Sequence, residues 1–90
     1  MKDFVVKDFE KFLEISDTIE SPFKFYEIMN WYEGEKEVIM VKASVWMRTA
    51  LLSFEQDFDS LEKAKKECIS ELKEHGFALC EIRETPMVIK

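Results

Sequence analysis

The sequence predicts an α+β domain of two layers, in which a mostly antiparallel sheet of three or four strands carries two helices on one face. Three patterns indicate this class: an amphipathic helical repeat at residues 8–20, another at residues 59–76, and a long run of β-branched and aromatic residues between them. Ninety residues are enough for one domain. We therefore expect residues 1–90 to form a single unit with the element order α-β-β-β-α-β.

The first helix is expected from Asp8, a good N-cap residue, to about residue 20. It should end near Ser21, because Pro22 disfavours helical geometry in the residue before it. Residues 4–6 fit a short strand or a first helical turn equally well. The face expected to be buried comprises Phe9, Phe12, Leu13, Ser16 and Ile19, with Ile15 at its flank.

A β-hairpin is expected next, because residues 23–32 are aromatic and alternate, and residues 33–36 (EGEK) have turn chemistry. Period-2 alternation places every second side chain on one face of the strand. The face predicted to be strongly buried comprises Phe23, Phe25, Met29 and Trp31, and the opposite face comprises Lys24, Tyr26, Ile28, Asn30 and Tyr32.

The central run at residues 38–54 should be the core, because twelve of its seventeen residues are apolar and none is acidic. A single strand of this length would span about 56 Å, which is too long for so small a domain. We expect two strands, at about residues 37–43 and 48–55, joined by a turn near residues 43–47. The alternative is a helix capped by Ser44.

The second helix is expected to start at Asp59, which forms a capping-box variant with Glu62, and to end at Gly76 in a left-handed cap. A last strand should cover residues 77–83, with Pro86 ending it. The predicted inner stripe of this helix is Leu61, Ala64, Cys68 and Leu72, with Ile69 beside it.

Composition restricts the function classes. A net charge of −6 repels nucleic-acid backbones and anionic lipid, so we expect no direct binding of either. The apolar run is too short and too charged for a membrane span, and residues 1–12 do not resemble a signal peptide. A cytoplasmic location is therefore expected.

Catalytic signatures are weak. His75 and Cys80 form a conceivable thiol dyad across a short turn, but no residue pattern orients the imidazole or supplies an oxyanion site. Two glycines cannot build a phosphate-binding loop, and no cysteine–histidine cluster has zinc spacing. We expect a protein that is not an enzyme and that uses no cofactor and no metal.

Two surface features are candidate binding sites. The first is an acidic stripe on one side of the first helix, whose like charges oppose helix stability and so suggest a partner. The second is the tip of the hairpin, where aromatic side chains suited to interface hot spots stand beside carboxylates. The stripe is Glu10, Glu14 and Asp17; the tip is Trp31, Tyr32, Glu33 and Glu35.

These features favour a small acidic binding protein that occupies a basic surface of a macromolecular partner, as inhibitors, immunity proteins and phage anti-defence proteins do. The first alternative is a structural or regulatory subunit that forms a homodimer through an apolar sheet face left uncovered by the helices. An enzyme that uses the Cys80 thiol is the third possibility.

Overall fold

The computed structural model describes the backbone of residues 2–84 and the side chains of residues 2–80. Over this range the chain forms five strands and two helices, which confirms the α+β class. The second helix is continuous and contains one π-helical turn. The elements are β1 (Lys2–Val5), α1 (Phe9–Asp17), β2 (Lys24–Glu33), β3 (Lys36–Trp46), β4 (Ala50–Phe58), α2 (Leu61–Ala64, Lys65–Ile69 and Ser70–Glu74) and β5 (Ala78–Glu84).

The sheet is mixed and has the strand order β1-β4-β3-β2-β5. The three central strands are antiparallel, whereas β1 pairs with β4 and β5 pairs with β2 in parallel. The predicted count of three or four strands, their mostly antiparallel pairing and the order α-β-β-β-α-β were therefore wrong in detail, because both edge strands pair in parallel and the chain starts with an additional strand, β1. This strand has only four residues, all exposed, and so carries no burial alternation by which the sequence could reveal it.

Local signals place the start of α1 and the hairpin turn as predicted. Asp8 is the N-cap of α1, and its Oδ1 accepts a hydrogen bond of 3.2 Å from the backbone N–H of Lys11. The helix ends at Asp17, earlier than predicted, and its last turn is closed by backbone bonds of the tighter i→i−3 type: the N–H groups of Thr18 and Ile19 donate to the carbonyls of Ile15 and Ser16 at 3.0 and 3.1 Å. In the hairpin turn, Gly34 has a φ of +67°, a conformation that glycine adopts without strain.

The central run forms two strands, as predicted, but the turn lies further along the chain. The backbone N–H of Met47 donates to the Ala50 carbonyl at 2.9 Å, which closes a tight turn between β3 and β4. The predicted turn near residues 43–47 and the strand bounds drawn from it were wrong. This turn contains neither glycine nor proline, so the sequence does not mark its position.

The prediction of which face of β2 is buried was also wrong. Both helices pack on the face that carries Tyr26 and Ile28, while Phe25, Met29 and Trp31 lie on the other face and remain partly exposed. Phe23 precedes the strand and is exposed. Alternation fixes which residues share a face, but both faces of β2 are apolar, so it does not decide which one the helices cover. The core residues are Phe12, Leu13, Tyr26, Ile28, Ile39, Val41, Ala43, Val45, Leu52, Phe54, Phe58, Ala64, Cys68, Ile69, Leu72 and Phe77.

The start of α2 differs by one residue from the prediction. Ser60, not Asp59, is the N-cap, and its hydroxyl accepts a hydrogen bond from the backbone N–H of Lys63 at 3.3 Å. The carboxylate of Asp59, which follows β4, instead lies 3.9 Å from the ammonium of Lys36 at the start of β3. Leu61, predicted to be part of the inner stripe, is exposed because it lies in the first turn, beyond the edge of the core.

The end of α2 agrees with the prediction of a left-handed glycine cap. Gly76 has a φ of +90°, its backbone N–H donates to the Lys73 carbonyl, and the N–H of Phe77 donates to the Leu72 carbonyl at 2.9 Å. This pair of bonds is a Schellman motif, and it turns the chain into β5. The predicted last strand is confirmed to within one residue, whereas its predicted stop at Pro86 lies outside the described residues.

Candidate functional site

The second face of the sheet is the most distinctive surface of the molecule. Among residues 2–84 no helix packs on it, because the apolar sides of α1 and α2 belong to one core on the other face. On strands β2 to β4 this surface, called here the uncovered face, carries six large apolar side chains that are only partly buried or exposed. They are Phe25, Met29, Trp31, Met40, Trp46 and Leu51.

A row of charges crosses the uncovered face at its middle. Glu27, Lys42 and Glu55 are register partners on three adjacent strands, and they separate the apolar side chains into two groups. The Lys42 ammonium lies 3.8 Å from the Glu55 carboxylate, at a site where both side chains are partly exposed. Such a pair contributes little stability, of the order of 0–1 kcal/mol. The row therefore contains two carboxylates and one ammonium group.

A shallow hollow of about 150 Å³ lies beside this row. The strand pairing is irregular at this point, because the register between β2 and β5 shifts between Tyr26 and Glu27 and leaves Cys80 without a partner. Such bulges re-aim side chains and are frequent beside binding sites. The hollow is lined by Phe25, Tyr26, Glu27, Lys42, Ser44, Trp46, Leu51 and Cys80.

The predicted acidic stripe lies on the helical layer. Glu10 and Glu14 are exposed on α1. Asp17 is also exposed, but it is not unpaired, since its Oδ1 lies 2.8 Å from Nδ1 of His75. That contact joins the C-terminal ends of α1 and α2. Of the stripe, only Glu10 and Glu14 remain available to a partner without breaking a contact between the helices.

The predicted hairpin tip is divided between the two faces. Trp31 and Glu33 lie on the uncovered face, where the Trp31 Nε1–H donates to a Glu33 carboxylate oxygen at 3.2 Å. Tyr32 points to the helical side and is exposed, and Glu35 lies in the turn. Trp31 packs beside Val38, its buried register partner, as cross-strand pairs do.

The structure does not bring the stripe and the tip together. The Ser16 carbonyl, at the end of α1, accepts a hydrogen bond from Lys24 Nζ at 3.0 Å, so the stripe ends near the start of β2. The tip lies at the other end of that strand, about 30 Å away at about 3.3 Å per residue. The Asp17 end of the stripe and the hairpin tip therefore lie at opposite ends of β2.

The two cysteines have different environments. Cys68 is 1% exposed in the core, where burial raises the pKa of its thiol to about 12. Cys80 is exposed in the hollow of the uncovered face. His75, the other member of the dyad considered from the sequence, bonds Asp17 on the helical side. The imidazole of His75 thus contacts Asp17 on the helical side, whereas the thiol of Cys80 lies in the hollow on the other face of the sheet.

A maleimide at neutral pH should label Cys80 rapidly and Cys68 slowly. The raised pKa leaves Cys68 with about a thousandth of the thiolate of an ordinary cysteine, and burial blocks access in addition. The C80S variant isolates the reaction of Cys68, and C68A isolates that of Cys80. Rapid labelling of folded C80S would contradict the burial of Cys68.

Sequence reasoning missed the residues at the centre of the uncovered face. A two-residue hairpin loop fixes the register of β2 and β3, and this register alone places Glu27 opposite Lys42. The signal was thus present in the sequence as an acid and a base equidistant from the turn. Glu55 carried no such signal, because the position of the second turn was not marked.

Comparisons with known proteins assign no function to the chain. No protein-family model matches the chain, and no curated protein matches it. Within residues 2–84, no helix has the length and apolar character needed to cross a membrane. In the same range, no group of three or more histidine, cysteine, aspartate or glutamate side chains is placed to hold a metal ion.

Proposed function

We propose that this chain is a non-enzymatic binding protein that docks its uncovered face on a basic surface of a protein partner. Its action would be that of an inhibitor, an immunity protein or a phage anti-defence protein, which block a partner by covering it. The observation that carries the proposal is a sheet whose second face bears Trp31 and Trp46 with no helix of residues 2–84 packed over it. Large apolar patches left at a surface mark interaction sites.

Charge supports a basic protein as the partner. On strands β2 to β4 the uncovered face carries four carboxylates and two lysines, and the chain as a whole has a net charge of −6. This charge opposes nucleic acid and also opposes a second copy of the same chain. The same negative charge attracts a basic surface, and this attraction raises the association rate of a basic partner. The charged groups are Glu27, Glu33, Glu55 and Asp57 with Lys36 and Lys42.

The acidic stripe has a secondary role in this proposal. Glu10 and Glu14 lie on the helical layer, away from the apolar side chains of the uncovered face, so they act on an approaching partner through space rather than by contact. Charges outside the centre of an interface mainly change the association rate and its salt dependence. Buried aromatic anchors mainly change the dissociation rate.

The test is capture of the partner from the native host, identification by mass spectrometry, and kinetics with the purified pair. Trp46→Ala should weaken binding by about 1–3 kcal/mol, chiefly through faster dissociation. Glu10→Lys combined with Glu14→Lys should slow association and reduce its salt dependence. Leu61→Ala is the matched control, since Leu61 is an equally exposed apolar residue on α2.

The proposal would be contradicted if the Trp46→Ala variant still bound the partner and the Leu61→Ala variant did not. Self-association through the same face is the alternative, and sedimentation velocity of the purified protein distinguishes it. A micromolar wild-type dimer that Trp46→Ala converts to a monomer would favour the subunit hypothesis over a basic partner.

A further inference from the structure

We infer that the hollow beside Glu27 receives one arginine side chain of the basic partner. This inference rests on the proposed function and adds the chemistry of the central contact. The volume, about 150 Å³, sets the size of the occupant. Pockets for drug-sized ligands measure about 300–1,000 Å³, so this hollow suits a single side chain.

The carboxylate of Glu27 favours a cation as the occupant. Glu27 is half-buried and lines the hollow together with Lys42, but the Lys42 ammonium lies 3.8 Å from the carboxylate of Glu55, which is outside the lining. Among the side chains of residues 2–80, no cation is within ion-pair distance of Glu27. A partly desolvated carboxylate attracts a cation more strongly than an exposed one does, because water screens it less. A cation from the partner would bring the charge of the row to zero, with two carboxylates and two cations.

The walls of the hollow favour arginine over lysine. Phe25 and Trp46 line it, and aromatic faces attract cations at short range. A guanidinium group is planar and weakly hydrated, so it stacks on an indole while its N–H groups bond a carboxylate. The Ser44 hydroxyl, also in the lining, is a further acceptor for those N–H groups. An ammonium group is more strongly hydrated and cannot stack in this way.

The test uses Nα-acetyl-arginine amide as the probe and the isosteric, uncharged Nα-acetyl-citrulline amide as its control. Each is titrated into ¹⁵N-labelled full-length protein at about 0.15 M salt, where long-range attraction is screened. We expect the arginine amide to shift the Trp46 indole and the Ser44 amide saturably, with a millimolar dissociation constant. The citrulline amide should leave both signals in place.

Two isosteric variants locate the contact. Glu27→Gln should weaken binding of the arginine amide about ten-fold, because a charge-assisted hydrogen bond is lost. Asp57→Asn removes the same charge from the same face outside the hollow, and it should change the affinity less than about two-fold. A wild-type-like amide spectrum of each variant verifies the fold.

Equal shifts with arginine and citrulline amides, or equal affinities for Glu27→Gln and Asp57→Asn, would overturn the inference. So would shifts confined to residues outside the hollow. These failures are separate from that of the proposed function, which is decided by the loss or retention of the captured partner in Trp46→Ala. The comparison of the two amides uses the wild-type protein, so it holds even if a variant folds poorly.

Discussion

Replacing Phe54 by alanine is expected to lower the free energy of unfolding by about 3–5 kcal/mol, the usual cost of emptying a buried aromatic site. Phe54 is 0% exposed, and its ring lies 5.0 Å from that of Phe9 and 5.6 Å from that of Phe12. Phe12 in turn lies 5.6 Å from Phe77, which follows the cap of α2. The substitution therefore opens a cavity where both helices meet the sheet. Chemical denaturation followed by circular dichroism measures the change.

Phe23→Ala is the matched control for Phe54→Ala. Phe23 is 55% exposed, so its truncation should cost less than about 1 kcal/mol. Phe54→Leu, which keeps most of the volume, should cost less than about 1.5 kcal/mol. A domain of this size is stable by roughly 5–15 kcal/mol, so Phe54→Ala leaves little reserve. Similar midpoints for the two alanine variants would mean that the aromatic cluster does not hold the layers together.

Much of the fold follows from local sequence signals. Asp8 begins α1, Gly34 allows the hairpin turn and Gly76 ends α2, each because a short-range hydrogen bond or a positive φ restricts the choice of residue. These features depend on a few neighbouring residues, and the sequence contains all of them. The helical stripes are predictable for the same reason, since periodicity is a local property.

Features that depend on long-range pairing were not predictable. The turn between β3 and β4 is closed by a hydrogen bond between Met47 and Ala50 and contains neither glycine nor proline. If the predicted turn is shifted by one residue along the chain, the predicted partner of every residue in the two strands shifts by two residues. The buried side of β2 depends on where α1 and α2 pack, which alternation cannot specify. Strand β1 is stabilised by β4 rather than by its own pattern.

The same limit applied to the candidate site. Carboxylates along a helix are visible in the sequence, whereas a face assembled from three strands exists only once the register is known. Trp31 and Glu33 were identified because they are near the turn, and they do lie on the uncovered face. The position of Glu27 opposite Lys42 follows from the hairpin register, whereas Glu55 and the neighbours of Trp46 on β4 depend on the second turn, whose position the sequence does not mark. Binding sites on sheets are harder to infer than sites on helices for this physical reason.

Replacing Leu72 by alanine is expected to cost about 2–4 kcal/mol, whereas the same change at Leu61 should cost less than about 1 kcal/mol. The sequence places both leucines on one stripe of α2, but Leu72 is 0% exposed and Leu61 is 41% exposed. Leu61 lies in the first turn of α2, beyond the edge of the core, so the periodicity that groups it with Leu72 does not give the two residues equal burial. Thermal denaturation of the two variants measures the difference directly. Equal losses would mean that the stripe is buried over its whole length and that Leu61 contacts the core.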